Sequence, residues 1–251
     1  MFVITGGGSG IGQALALALS NRGQQVFVIG RNEQTLQQTA ESGSNIQYLV
    51  ADVASGAGRS SIQTRLQNTS LRGFIHNAGI LEPIKPLSEI TVAEWSQILA
   101  TNLNAPLFLT QMLGKELKGG RVLNIGSGAA YSPIKGFSAY CVTKAALSML
   151  TRCWQMESSD IAFASVMPGI IDTSMQTKIR TADHMDAAMQ DFFINLKNQG
   201  QLLRTETVAL FLSWLLLDLE RQEYSTKEWD IYETSHHHAW LTDEHQVPVL
   251  E

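Results

Sequence analysis

Six short apolar runs recur along this chain, separated by longer stretches with helical spacing. The runs are Phe2–Thr5, 25–29, Ile46–Val50, Gly73–His76, 121–126 and 161–167. Most are continuous in Val, Ile and Phe rather than alternating with polar residues, as strands of a parallel sheet buried on both faces are. Stretches 11–22, 33–41, 55–68, 91–117 and 139–158 read as helices. In the first, Ile11, Leu15 and Leu19 fall at i, i+4 and i+8, which is one face of a helix. Strand–helix alternation with short connections predicts an α/β fold, an open doubly wound parallel sheet with helices on both faces and right-handed crossovers. No internal repeat and no Pro/Gly/Ser linker divides it, so residues 1–233 are expected to form a single domain. Residues 174–199 break the rhythm. They carry Met175, Met185, Met189, Phe192 and Phe193 among polar residues and read as a helical insertion able to cover a pocket. Residues 234–251 have no periodicity and read as a tail, with Leu250-Glu251 as a vector remnant.

Composition excludes several classes. With 251 residues, 44% of them hydrophobic, and a net charge of −5, the chain has a core to bury and no basic face for nucleic acid. Its longest apolar run, 208–217, is broken by Ser213 and too short for a membrane span. Cys141 and Cys153 have neither disulfide nor metal-ligand spacing around them. Met1 leads directly into Phe-Val-Ile-Thr-Gly without a basic segment or cleavage site, so a cytoplasmic protein is expected.

Between the first strand and first helix lies Thr5-Gly6-Gly7-Gly8-Ser9-Gly10-Ile11-Gly12. Glycines there permit positive φ and let backbone N–H groups approach a phosphate at a helix N-terminus. The spacing is T-G-x-x-x-G-x-G rather than G-x-G-x-x-G. A tight turn without a ligand is the alternative, but the first βα junction is where a Rossmann-type fold binds nucleotides. The second strand ends Gly30-Arg31. An NAD site would place a carboxylate there for the ribose 2′-hydroxyl, whereas Arg31 suits a 2′-phosphate. NADP is therefore expected over NAD. The competing reading of Arg31 is an ordinary exposed arginine at a strand end.

Ser127 precedes Tyr140 by thirteen residues, and Lys144 follows Tyr140 at i+4. On a helix, Tyr140 and Lys144 share a face, and an ammonium beside a phenol is expected to lower the tyrosine pKa. That makes Tyr140 a general acid for a carbonyl oxygen, or a base for an alcohol. Ser127, at a strand end, can bond the same oxygen.

These residues together resemble the classical short-chain dehydrogenase/reductase family. The matching positions are Thr5, Gly6, Gly10 and Gly12, Asp52-Val53, Asn77-Ala78-Gly79, Asn102, Ser127, Tyr140, Lys144, Pro168-Gly169 and Thr173, in the family's order. The resemblance implies that Asp52 and Val53 flank the adenine, and that Asn77-Ala78-Gly79 packs beneath the cofactor. It implies that Lys144 bonds the nicotinamide ribose, that Asn102 joins a proton relay behind it, and that Ile170 and Thr173 meet the carboxamide and phosphates. Two positions depart from the family pattern. Gly126-Ser127 stands where many members have Ser-Ser, and Ser9 stands where many NADP-dependent members have a basic residue. The stretch 168–176 with Ile179-Arg180, and a seventh strand over 228–233, are similar to sepiapterin reductases and bacterial benzil reductases. That likeness suggests Asp230 as a substrate anchor.

The expected activity is NADPH-dependent reduction of a ketone or 1,2-diketone, with Tyr131, Phe137, Met175 and Asp230 lining the substrate side. An NAD(P)-dependent alcohol dehydrogenase acting oxidatively and a non-catalytic NADP-binding regulator are the alternatives. Helices 91–117 and 139–158 have equivalents in the family that pair across two-fold axes, which suggests a homodimer or homotetramer. His236-His237-His238 is read as an exposed tail, and no metal site is expected.

Overall fold

The computed structural model describes residues 1–249; Leu250-Glu251, read above as a vector remnant, lie outside the described residues. Seven parallel strands form one sheet in the order β3-β2-β1-β4-β5-β6-β7. They are β1 (Phe2–Thr5), β2 (Val26–Gly30), β3 (Ile46–Val50), β4 (Gly73–His76), β5 (Arg121–Ile125), β6 (Ala162–Met167) and β7 (Trp229–Asp230). Alternate residues of β1 enter opposite cores, as the strand period of two requires. Phe2 and Ile4 pack with Leu15, Leu19 and Phe211, while Val3 packs with Phe74, Leu109 and Val122. Both faces are thus buried, and the strands need no polar side.

Helix α1 (Gly10–Asn21) follows β1, α2 (Glu33–Glu41) follows β2 and α3 (Gly56–Leu66) follows β3. The stretch 91–117 is not one regular helix. It comprises α4 (Val92–Leu99), a π-helical segment over Ala100–Asn104, and α5 (Ala105–Met112). Such a widened turn interrupts the i to i−4 ladder and re-aims the side chains within it; here it carries Asn102. Helix α6 (Ser138–Glu157) holds Tyr140 and Lys144. The insertion forms two helices, α7 (Ser174–Arg180) and α8 (Ala187–Asn198). They build a third apolar cluster with Leu81 and Phe137, apart from the two sheet cores.

Three further features differ from the sequence reading. Helix α9 (Thr205–Leu217) packs against α1, yet its apolar residues run all round and show no stripe. The seventh strand has two residues where 228–233 was expected; short α10 (Arg221–Tyr224) precedes it. The tail is not an exposed appendage, because residues Thr234–Ala239 form a 3-10 turn that buries His236 and leads into buried Trp240. His236 stacks on Phe211 and Trp214 and meets Trp229 edge-on, while Trp240 lies tilted against Phe211, contacts made in the fold and invisible to local periodicity. Among the described residues no helix is long and apolar enough to cross a membrane, and no cluster of metal-ligating side chains occurs.

Candidate active site

The strand order reverses between β1 and β4, and in open parallel sheets ligands bind in the crevice at such a point. Thr5 closes that crevice from below. Its Oγ1 donates to Ile75 O at 3.3 Å and accepts the Asn77 and Ala78 amides at 3.1 Å each. Asn77 Nδ2 returns bonds to Thr5 O at 2.9 Å and Gly6 O at 3.1 Å. Thr5 and Gly12 therefore build the site without lining it. A Cβ on Gly12 would fall 2.4 Å from Gly6 O.

Above this staple opens a cavity of about 1390 Å³. Gly6, Gly8, Ser9, Gly10 and Ile11 form one wall, with Gly6 and Gly10 at φ of 68° and 55°. A Cβ on Gly8 would meet Thr35 Oγ1 at 2.4 Å, so the loop lies flat against α2. Ser9 caps α1 without a side-chain bond to its first amides, which leaves those N–H groups free for an anion. Arg31 at the rim, Asp52, Val53, Asn77, Ala78 and Gly79 continue the lining. Asp52 Oδ1 accepts Ala54 N at 3.0 Å. Pro168, Gly169, Ile170 and Thr173 line the far side. A long cleft with a flat glycine wall at a helix N-terminus fits a dinucleotide.

The four residues expected to form the catalytic set come together at the β4–β5 end. Ser127, Tyr140 and Lys144 line the cavity. Asn102 lies just behind and is 1% exposed. Its Oδ1 accepts Ile80 N at 2.9 Å, and its Nδ2 donates to Ile80 O at 2.9 Å and Thr143 Oγ1 at 3.1 Å. The π-helical turn is thereby tied to α6. Lys144 Nζ donates to Ile125 O at 2.7 Å and sits 5.5 Å from the Tyr140 ring centroid.

A family model described as short chain dehydrogenase matches residues 1–184. The chain belongs to the short-chain dehydrogenase/reductase family. It is 31% identical over 243 residues to benzil reductase ((S)-benzoin forming) of Bacillus subtilis, covering 93% of this chain and 98% of that protein. The corresponding Bacillus cereus protein is 33% identical over 245 residues, covering 90% and 96%. Among solved structures, the short-chain dehydrogenase/reductase YIR035C of Saccharomyces cerevisiae superposes with a TM-score of 0.87 at 26% identity, over 93% and 96% of the two chains. Short-chain dehydrogenases/reductases are oxidoreductases that use a nicotinamide dinucleotide, which agrees with the cleft described above.

Two expectations about the site require correction. In the protein alone the Tyr140 pKa does not fall. Enclosure pushes it up to about 12, with the Ser127 hydroxyl pulling the other way. Burial also lowers Lys144 to about 8. The enclosed site resists either charge, and the ammonium is held by a carbonyl over the ring. The second correction concerns Tyr131, which is 57% exposed and turned away from the cavity. Its hydroxyl bonds Ser148 Oγ at 2.8 Å and the Glu228 carboxylate.

Phe137, Met175 and Asp230 do line the cavity. Asp230 Oδ1 accepts Tyr232 N at 3.0 Å. Sequence reasoning missed Gln176, Ile179 and Tyr232, which also line it. Tyr232 OH accepts Ile170 N at 3.0 Å. The stretch 168–176 pointed at this wall, but nothing in its spacing told which side chains turn inward.

Proposed function

We propose that this protein is an NADPH-dependent carbonyl reductase for ketones or 1,2-diketones carrying aromatic groups. The observation that carries the reading is the convergence of Ser127, Tyr140 and Lys144 beneath a wall of Phe137, Met175, Met189, Phe192 and Phe193. Such side chains accommodate flat apolar surfaces. The two benzil reductases, similar over most of their length, support the same substrate class.

The glycine loop and the N-terminus of α1 would hold the dinucleotide above the floor that Thr5 and Asn77 brace, with Arg31 against its 2′-phosphate. A bound reduced nicotinamide supplies hydride to the carbonyl carbon. Ser127 Oγ orients the carbonyl oxygen. Tyr140 is kept protonated by its surroundings and donates its phenolic proton to that oxygen as negative charge develops there. Lys144 then faces the resulting phenolate, and the Ile125 carbonyl keeps the ammonium in place. Asn102, fully bonded through its side chain, fixes the turn behind Lys144. Phe137 and the lid helices keep water from the reacting carbon.

On the outer face of α6, Val142, Met149 and Met156 are exposed at seven-residue intervals, and Phe108 is exposed on α5. This stripe supports a homodimer or homotetramer through α5 and α6, and sizing in solution tests it. A cytoplasmic location is part of the same proposal.

The function is tested by following NADPH consumption with benzil as substrate. Wild type should turn over. Tyr140→Phe should lose at least about 10²-fold in kcat while binding NADPH as tightly, because the phenol acts on substrate. Normal turnover by that variant would overturn the mechanism.

A further inference from the structure

A buried polar side chain is set into the apolar wall contributed by the lid. Gln176 on α7 is 5% exposed and lines the cavity, beside Met175 and Ile179 of the same helix and opposite Phe137 and Phe193. Chemistry settles which way its amide points. Arg180 Nη1 donates to Gln176 Oε1 at 3.1 Å. A guanidinium has no acceptor to offer, so the carbonyl end of the amide faces Arg180 and the NH₂ end faces away from it.

That arrangement is built rather than incidental. Arg180 makes a second bond to Thr177 Oγ1 at 3.3 Å, and its own carbonyl receives Gln190 Nε2 from α8 at 3.1 Å. Among the described residues the Gln176 NH₂ has no hydrogen-bond partner, yet it is not sealed from water. The sealed unpartnered side-chain atoms are Asn124 Oδ1, Ser213 Oγ and Ser225 Oγ. The remaining surface of Gln176 therefore opens where the residue lines the cavity.

We infer that Gln176 is a specificity-determining residue that donates a hydrogen bond to a second acceptor on the substrate, separate from the carbonyl reduced at Tyr140. This rests on the carbonyl reductase reading and narrows its substrate class to aryl ketones bearing another oxygen acceptor, 1,2-diketones foremost. The reason is desolvation. When an aromatic substrate displaces water from this wall, the N–H groups lose their partners unless the substrate returns one. A site of this kind rejects an analogue that lacks the matching group. Asp230, the carboxylate on the opposite strand end of the same cavity, can only accept, so it cannot serve an oxygen acceptor in place of Gln176.

The test compares benzil with deoxybenzoin, which keeps both phenyl rings and replaces one carbonyl with a methylene. Gln176→Glu keeps the shape and the acceptor for Arg180 but removes the donor; Gln176→Met removes both. Each variant should lose about tenfold or more in kcat/KM for benzil, whereas deoxybenzoin, which leaves the N–H groups unpaired in the wild type, should lose nothing and should gain with Gln176→Met. In the Tyr140→Phe background with NADPH bound, the same substitutions should weaken benzil binding by a similar factor, while Gln176→Met should tighten deoxybenzoin binding. That equilibrium measurement, with a melting curve and NADPH affinity as controls, separates a lost contact from a damaged fold. Equal losses on both ketones, or no loss on benzil, would overturn the inference alone. Failure of the wild type to reduce either ketone overturns the reductase reading itself, and the inference with it.

Discussion

Lys144 Nζ donates to the carbonyl oxygen of Ile125 at 2.7 Å, so the buried cation of α6 is tied to the strand that delivers Ser127 two residues later. The bond places the charge beside the Tyr140 ring, where the proposed reaction would form a phenolate, at a cost to the protein without cofactor. Burial holds the Lys144 pKa at about 8, against 10.5 for an ordinary lysine. Between those values the unfolded chain is protonated and the folded chain is not. Stability from this group therefore rises with pH across that window, and the penalty is complete below it. Lys144→Met is expected to lower kcat by on the order of 10²-fold or more. In the cofactor-free protein it should raise Tm at neutral pH, by an amount that shrinks toward pH 10.5. Thermal melts of both proteins across that range check the sign; a variant melting lower at neutral pH would show that the Ile125 hydrogen bond outweighs the burial cost.

The sheet and the shared helical face of Tyr140 and Lys144 were legible in the sequence because each depends on local spacing. Continuous Val/Ile/Phe runs read as buried parallel strands, and Tyr140 and Lys144 share a helical face at i and i+4. What could not be read was decided by distant partners. Tyr131 follows the Ser127 turn and looks like a pocket residue until Glu228, 97 positions away, draws its hydroxyl outward. His236 looks like tail until Phe211 and Trp229 enclose it. Asn102 was found by resemblance, but the widened turn that aims it leaves no trace in a pattern that is helical on either side. Gln176 lies within the 168–176 stretch, yet its meaning depends on Arg180 fixing the amide.

The proposed preference for NADPH rests on Arg31. It stands at the cavity rim after Gly30, where an NAD site would carry a carboxylate. Arg31→Ala should reduce the ratio of kcat/KM with NADPH to that with NADH by about tenfold or more, the loss of one hydrogen bond to a charged group. Because the site is exposed, the effect should shrink as ionic strength rises. Steady-state kinetics with both dinucleotides decide it, and an unchanged ratio would refute the assignment.

Glu228 gathers three hydroxyls from three elements. It accepts Ser165 Oγ of β6 at 2.7 Å, Ser148 Oγ of α6 at 3.5 Å, and the Tyr131 hydroxyl after the Ser127 turn. Glu228→Ala removes the shared acceptor and should destabilise the protein by about 2 kcal/mol, whereas Tyr131→Phe should cost about 1 kcal/mol. Because Tyr131 anchors the loop that presents Ser127, both variants should lower kcat more than they raise KM. Denaturant unfolding and ketone kinetics together check this; stability losses without any change in kcat would confine the cluster to a structural role.

The C-terminal turn brings a pH dependence that the sequence did not suggest. His236 Nε2 lies 2.9 Å from Asp230 O, and its Nδ1 lies 2.8 Å from Trp240 Nε1. A carbonyl can only accept and an indole N–H can only donate, so the ring is neutral with its proton on Nε2. Protonating Nδ1 would set two N–H groups against each other. Burial accordingly lowers the His236 pKa from 6.5, and burial alone lowers that of His76 to about 3. As pH falls below 6.5 the unfolded chain takes up protons that these two rings refuse, and stability is lost. Tm should therefore fall between pH 7 and pH 5. His236→Phe keeps the stack on Phe211 but cannot titrate, so it should flatten part of that slope and leave the part due to His76. Trp240→Ala should cost about 3 kcal/mol by opening a cavity, and should raise KM for substrate, because His236 is the partner of the Asp230 carbonyl on the cavity-lining strand. Melting curves at several pH values test the first expectation; a His236→Phe slope identical to wild type would show that the turn does not sense pH.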